Sequence, residues 1–418
     1  MPRLMKVVAV LSVAVATPAA AQRTVELPAR DVVLRGVPVD VWAVGTDEGE
    51  PWEMLAGVRS IAFDAMDNLY ALDTGNHRVL VFDREGVFVR SVGARGGGPG
   101  EFQAPMAVAV LDDGTIAVLD LARRGFVLFG QDGTYLRDAL LPEDIGLPRP
   151  GELYVHDDEI IARAMPTLRF GPGAPPDPSA PRTSPIFRMS FREDAQPVTL
   201  HSFAMAPPQV RETQAAGGRR MRMAVMSVPT FQKEPSFAVL SGGSLAISDA
   251  DDYTIAVKDA SGRDVRTIVR PIAARPVSER DREAAREQLR RQLREPSSAP
   301  TVVSGRGSAF FRSEGTGGGL TDEQIEERVR QMTFHEQIAA IERVWSDPLG
   351  RLWVLRRPDR VAGDPVIDLI GDGDRYIGTI TGRPLPAAVS ANGLAAWVEK
   401  DELDIERIVV RRLPGEWK

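Results

Sequence analysis

The chain has 418 residues, 43% of them hydrophobic, with no Cys and a formal net charge of −7. Lack of Cys excludes disulfides, thiolate metal sites and a lipid-modified cysteine at a cleavage site. The acidic balance argues against a nucleic-acid partner, which would favour a basic face. At the start, Arg3 and Lys6 precede a continuous apolar run from Val7 to Ala16, and Thr17-Pro18-Ala19-Ala20-Ala21 supplies small residues in an A-x-A pattern. This order predicts a secretory signal over residues 1–21, cleaved between Ala21 and Gln22, and a periplasmic or extracellular mature protein. The run is about half the ~20 residues a spanning helix needs, and no later segment resembles one, so no transmembrane segment is expected. Residues 22–36 read as an N-terminal extension.

Beyond it the chain repeats. Ile61–Asp64, Asn68–Asp73, Arg78–Asp83 and Gly86–Gly93 form four short runs rich in Val, Ile, Leu and aromatics. Val108–Leu111, Gly114–Asp120, Gly125–Phe129 and Gly133–Arg137 follow in the same order, with Asp120 standing 47 residues after Asp73. Turn sequences such as Glu85-Gly86, Asp113-Gly114 and Asp132-Gly133 separate several of the runs, as in successive hairpins. Four antiparallel strands at this period describe a propeller blade. A weaker copy spans Leu153 to Phe203, and clear copies run from Ser236 to Arg270 and from Arg343 to Thr381. After Leu385 only three strands remain, around Ala387–Ser390, Leu394–Glu399 and Ile405–Leu413. The fourth is supplied from the front of the chain: Val37–Gly45 aligns with Glu85–Gly93, an outer strand. The expectation is an all-β, six-bladed β-propeller over residues 37–418, closed by strand 37–45, with a helical insertion at 271–340 between blades four and five.

Asp73-Thr74-Gly75-Asn76-His77-Arg78-Val79-Leu80-Val81-Phe82-Asp83-Arg84-Glu85-Gly86 resembles the NHL repeat. The connection Gly93…Gly100-Glu101-Phe102…Pro105 completes that likeness, which is specific over Arg59 to Asp120. The mature chain as a whole resembles the exported six-bladed propeller proteins of bacteria in the NHL-like and TolB-like group. The resemblance implies a fold and assigns no activity.

With strands labelled a to d from the channel outwards, a–b and c–d turns share one face, and b–c and d–a connections share the other. Every a–b and c–d turn is short. The long insertions are Pro166–Pro185 (b–c, blade three), Ala204–Pro235 (d–a, three to four) and Pro271–Ala340 (d–a, four to five), so all three are expected on one face. In the last, Ser278 is a plausible cap for a charged helix to about Arg294, and Thr321-Asp322-Glu323-Gln324 is a capping box opening a second helix to about Met332. Pro296–Gly319 is rich in Ser, Gly and Pro. Leu289 with Leu293, and Ile325 with Val329 and Met332, give the helices apolar stripes.

Candidate binding residues fall on that elaborated face. Asp73, Asn76, Asp120, Asp249 and Asp251 occupy b–c positions where a calcium-dependent lactonase or arylesterase would place its ligands; Asp and Asn at strand ends also shape turns by bonding local backbone. Arg95, Arg123, Arg124, Arg356, Arg357 and Arg360 fall in b–c or d–a positions and could hold an anionic ligand or an acidic partner. His77, in a b–c loop, suits a ligand role, and three His at the axis would hold zinc as in the amidating lyase that resembles NHL proteins. Nothing in the sequence brings His77, His156, His201 and His335 together. No Gly-x-Ser-x-Gly elbow, His-Glu-x-x-His motif or phosphate loop is present. The leading reading is a monomeric, exported, non-catalytic scaffold that binds a protein or small-molecule ligand through its loop-rich face, with no metal and no cofactor. The alternative is a Ca- or Zn-dependent hydrolase or lyase centred at the channel mouth.

Overall fold

The computed structural model describes residues 23–142, 144–165, 182–192, 194–205, 209–214, 220–225, 228–294, 320–358 and 363–417. The signal segment 1–21, most of the Pro166–Pro185 insertion, Pro296–Gly319 and Arg360 lie outside them.

Among the described residues, six sheets form the propeller, five of four strands and one of five. Blade one consists of Val58–Phe63, Leu69–Asp73, Arg78–Phe82 and Phe88–Val92, each antiparallel to the next. Its middle strands are buried on both sides, while the outer strand is half exposed. That explains why b and c strands read as unbroken apolar runs. The two-residue period sends alternate side chains to opposite neighbours. Leu69, Ala71, Leu80 and Phe82 pack with Leu394, Ala396, Ile408 and Val410 of blade six. Tyr70, Leu72, Val79 and Val81 pack with Val108, Ile116 and Val118 of blade two. Equivalent clusters fill the junctions two–three, three–four, four–five and five–six. The apolar core is therefore a ring of six interblade wedges.

The ring closes with the front of the chain. Val39–Val44 pairs antiparallel with Glu406–Arg412 as the outer strand of blade six. Trp42 lies against Gly86 and donates from Nε1 to the Arg84 carbonyl 3.2 Å away. A Cβ at Gly86 (φ +85°) would sit 2.5 Å from the indole, so this contact requires glycine. Glu406 accepts from the amides of Gly57 and Val58 at 2.8 and 2.9 Å, clasping blade six to blade one.

The preceding segment, expected to be an extension, is a strap across three blades. Arg23–Glu26 pairs in parallel with Arg266–Val269, giving blade four a fifth strand. Leu27 is buried between blades four and five. Val33 bridges Thr379 on the outer strand of blade five. Asp31 anchors the middle: it pairs with Arg270 at 2.7 Å and Arg356 at 2.8 Å, while the buried Arg270 also holds Asp368 at 2.7 Å. At the other end of the chain, Trp417 is buried against Trp353 (centroids 6.0 Å apart), and its carbonyl accepts from Arg351.

The connections separate by face as the antiparallel order requires. Three details differ from the sequence reading. Blade three starts at Pro148 rather than Leu153, with an irregular register between the two. Its third strand starts at Arg182, so Pro185 lies in a strand opposite Ser202 rather than in the insertion. The second insertion contains a hairpin, Gln209–Gln214 with Arg220–Val225. In the third insertion, α1 spans Glu279–Arg294 and α2 spans Asp322–Arg330. Ser278 Oγ accepts from the Asp281 amide at 3.2 Å, and Thr321 with Gln324 forms the capping box of α2. Ile325 and Val329 are buried, and Arg290 pairs with Glu326 between the helices.

Candidate functional site

Asp73 and Asp120 are fully buried at the ends of equivalent strands. Asp73 accepts from the Ala56 amide at 3.0 Å, Asn76 at 2.8 Å and Arg78 Nε at 3.0 Å. Asp120 accepts from the amides of Gln103, Ala104 and Ala122 at 2.7, 3.1 and 2.9 Å. Each carboxylate thus ties the connection entering its blade to the b–c turn of that blade. Arg123 is committed similarly: it reaches Asp138 at 2.6 Å and the carbonyls of Gly98 and Glu101. Arg356 is held by Asp31 of the strap. His77 takes a left-handed backbone (φ 54°) in the blade-one turn, and Arg95 and Arg124 are exposed.

Asp251 and Arg357 are linked through the backbone of Ala340, and with Asp249 they act electrostatically on a residue the sequence reading missed. The second and third insertions join where Thr230 bridges Phe334 and its amide donates to the Thr333 carbonyl at 2.7 Å. Phe231 packs there with Val277, Ala285 and Ile338. Three residues after Thr230, Lys233 reaches down to the inner strand of blade five, its Nζ 2.9 Å from the Ile341 carbonyl. Burial and then the Arg357 guanidinium bring the amine down to about 7, against the opposing pull of Asp249, Asp251 and Glu342. Ala340 joins the two blade elements: its amide donates to the Asp251 carbonyl and its carbonyl accepts from the Arg357 amide. The one available signal was compositional, since Lys233 is one of five Lys among 51 basic residues. A compact, neutralisable amine in a chain that elsewhere uses Arg marks a different chemical requirement.

The four His occupy four places. His77 and His335 are on the insertion-bearing face. His156 ends the first strand of blade three at the opposite face, beside Gly243. His201 lies on an outer strand with its ring against Phe203, and burial, then Lys258, lowers its affinity for a proton. Among the described residues no group of three His, Asp or Glu is arranged to hold a metal ion, and no helix is long and apolar enough to cross a membrane.

On the short-turn face, the turns of blades five and six enclose a half-open cleft of about 560 Å³. Its walls include Leu349, Arg351, Asp372, Ile377, Ala391 and Asn392.

A family profile described as a 6-bladed beta-propeller, DUF5128, matches residues 53–147, from the entry to blade one to the edge of blade three. No curated protein sequence matches the chain. A member of the duf4221 family from Bacteroides vulgatus is similar in structure, with a TM-score of 0.50 over 90% of this chain and 97% of its own, at 10% identity. Virginiamycin B lyase from Staphylococcus aureus gives a TM-score of 0.38 over 89% of this chain and 99% of its own, also at 10% identity. The first likeness concerns the fold alone and the second carries no argument. With the profile and the sheet topology, the chain is a six-bladed β-propeller.

Proposed function

We propose that this propeller is an exported binding scaffold that engages a protein or small-molecule ligand through its insertion-bearing face, without catalysis and without a cofactor. Its affinity to the NHL-like and TolB-like propellers rests on the segment Asp73 to Gly86. One observation carries the functional reading. Two insertions from different blade junctions join each other at Thr230 and Phe334 and deliver Lys233 to the Ile341 carbonyl, within the electrostatic influence of Asp249, Asp251, Glu342 and Arg357. Loops that merely tolerate added length have no need to cooperate in this way, whereas loops on a rigid frame are where binding residues concentrate. The patch mixes both charges around a half-buried amine, which suits a polar partner better than an apolar one.

The test is photo-crosslinking in the native envelope with benzoylphenylalanine placed at Asp249 or at Met66, exposed positions on opposite faces. The expected outcome is a discrete adduct from position 249 and none from position 66. Adducts from position 66 alone, or from neither, overturn the assignment of this face.

A further inference from the structure

The described lysines are held in two ways. Lys258 pairs with Asp264 at 2.7 Å and Lys400 with Asp404 at 3.3 Å, so each keeps its proton against a carboxylate. Lys233 makes no ion pair among the described residues; its Nζ spends one hydrogen on the Ile341 carbonyl at 2.9 Å. An ammonium withdrawn from water with a single acceptor gives way to the neutral amine, which has a free lone pair. Ile341 opens the inner strand of blade five, so the amine stands beside the channel on the insertion-bearing face, and Lys233 keeps part of its surface exposed. A second observation concerns Asp249. It follows strand Leu245–Ser248 at the place where Asp73 and Asp120 end the matching strands of blades one and two. Those two carboxylates are buried and take amides of the connection entering their blade. Asp249 is exposed, and among the described residues its carboxylate accepts no hydrogen bond. In blade four the entering connection brings Lys233 instead, and the charge of Asp249 acts on that amine.

We propose that Lys233 captures a small, uncharged hydroxyaldehyde as an imine, with Asp249 relaying protons. This rests on the binding reading above and names the ligand class for the same face. The amine lone pair attacks the aldehyde carbon, and the carbonyl pair moves to oxygen. Both amine hydrogens end on that oxygen, which leaves as water, and a C=N bond remains; no oxidant or reductant is consumed. With the amine brought down to about 7, roughly half of Lys233 is neutral at pH 7, against fewer than about one in a thousand of ordinary lysines. Asp249, Asp251 and Glu342 outnumber Arg357 in the field at the amine, so a 2-oxo acid or other anion is repelled. A ligand hydroxyl suits the same carboxylates, which accept charge-assisted bonds.

The test treats the full mature protein at pH 7 with glycolaldehyde and cyanoborohydride, which reduces an imine to a stable secondary amine, and reads the peptides by mass spectrometry. Expected is a hydroxyethyl group on Lys233 at a rate at least about tenfold that on Lys258 or Lys400. The rate should saturate with glycolaldehyde at Lys233 and stay linear at the other two. The preference for Lys233 over Lys258 should fall at least about threefold with acetaldehyde, which lacks the hydroxyl. Asp249→Asn should slow labelling of Lys233 while its circular dichroism melt stays that of the parent. Labelling of Lys233 no faster than of Lys258, a linear dependence at Lys233, or an equal preference with acetaldehyde overturns the proposal. The photo-crosslink from position 249 requires no imine, so a crosslink without labelling refutes the capture and leaves the binding face standing.

Discussion

A carboxylate shut away from water is tolerated only where donors replace its hydration. Asp73 meets that condition through Ala56, Asn76 and Arg78. Replacing it by Ala strands those donors and leaves Arg78 facing a void, so Asp73→Ala should cost about 3 kcal/mol in urea unfolding. A loss within about 0.5 kcal/mol would show that the carboxylate does not hold the turn. Lys233 makes the opposite case, a base whose charge its surroundings disfavour. Its folded-state pKa, about 7, lies below that of the free side chain, so between about 7 and 10.5 the unfolded chain binds more protons than the folded one. The penalty for charging Lys233 is therefore complete below pH 7 and is relieved as the pH rises to 10.5. Lys233→Met should melt higher than the parent protein at pH 6, with the gap narrowing steadily by pH 10; a gap independent of pH would contradict the buried setting. Both residues also show where sequence reasoning stops. The 47-residue spacing made Asp73 and Asp120 visible as a repeated device, but ligand and turn-former look alike until burial is known. Lys233 owes its properties to segments near residues 250, 341 and 357, and no local pattern announces such a convergence.

At the scale of elements, what could be read depended on how many sides of a strand are covered. The middle strands of blades one, two, four and five are packed on both faces and show as unbroken apolar runs. Blade three was dimmer because its first strand is interrupted around Pro150 and Gly151 and a long insertion splits its second and third strands. The closing strand Val39–Val44 was legible because its alternation matches Val87–Ser91. The parallel strand Arg23–Glu26 was not, since four residues with one aliphatic among them carry no periodicity, and their partner lies more than 200 residues away. Deleting residues 23–44 removes both strands together with the Asp31 anchor, exposing the Glu406–Arg412 edge and the buried Arg270. An uncovered edge pairs with other chains. The truncated protein should aggregate on light scattering or lose its cooperative melt; unchanged stability would mean that the strap is dispensable.

For the whole molecule, the export reading predicts one mass. Protein recovered from the native envelope fraction should begin at Gln22, directly before the first strand of the strap. An intact mass that still includes residues 1–21 would refute it. Cleavage there leaves the mature chain with 49 basic residues, two fewer than the 51 of the whole, against 58 acidic ones. The strap bears on events before the protein is complete. Its docking surfaces are the outer strands 264–269 and 375–381 and the strand 406–412. Residues 23–44, which precede every strand they dock on, are thus the last to find their partners. Blades one to three can assemble from local hairpins as they emerge, but the ring stays open, with blade six one strand short, until the C-terminus is free. Loop closure over more than 360 residues is slow compared with hairpin formation. A molecule built this way stays unlocked until strand 406–412 is complete.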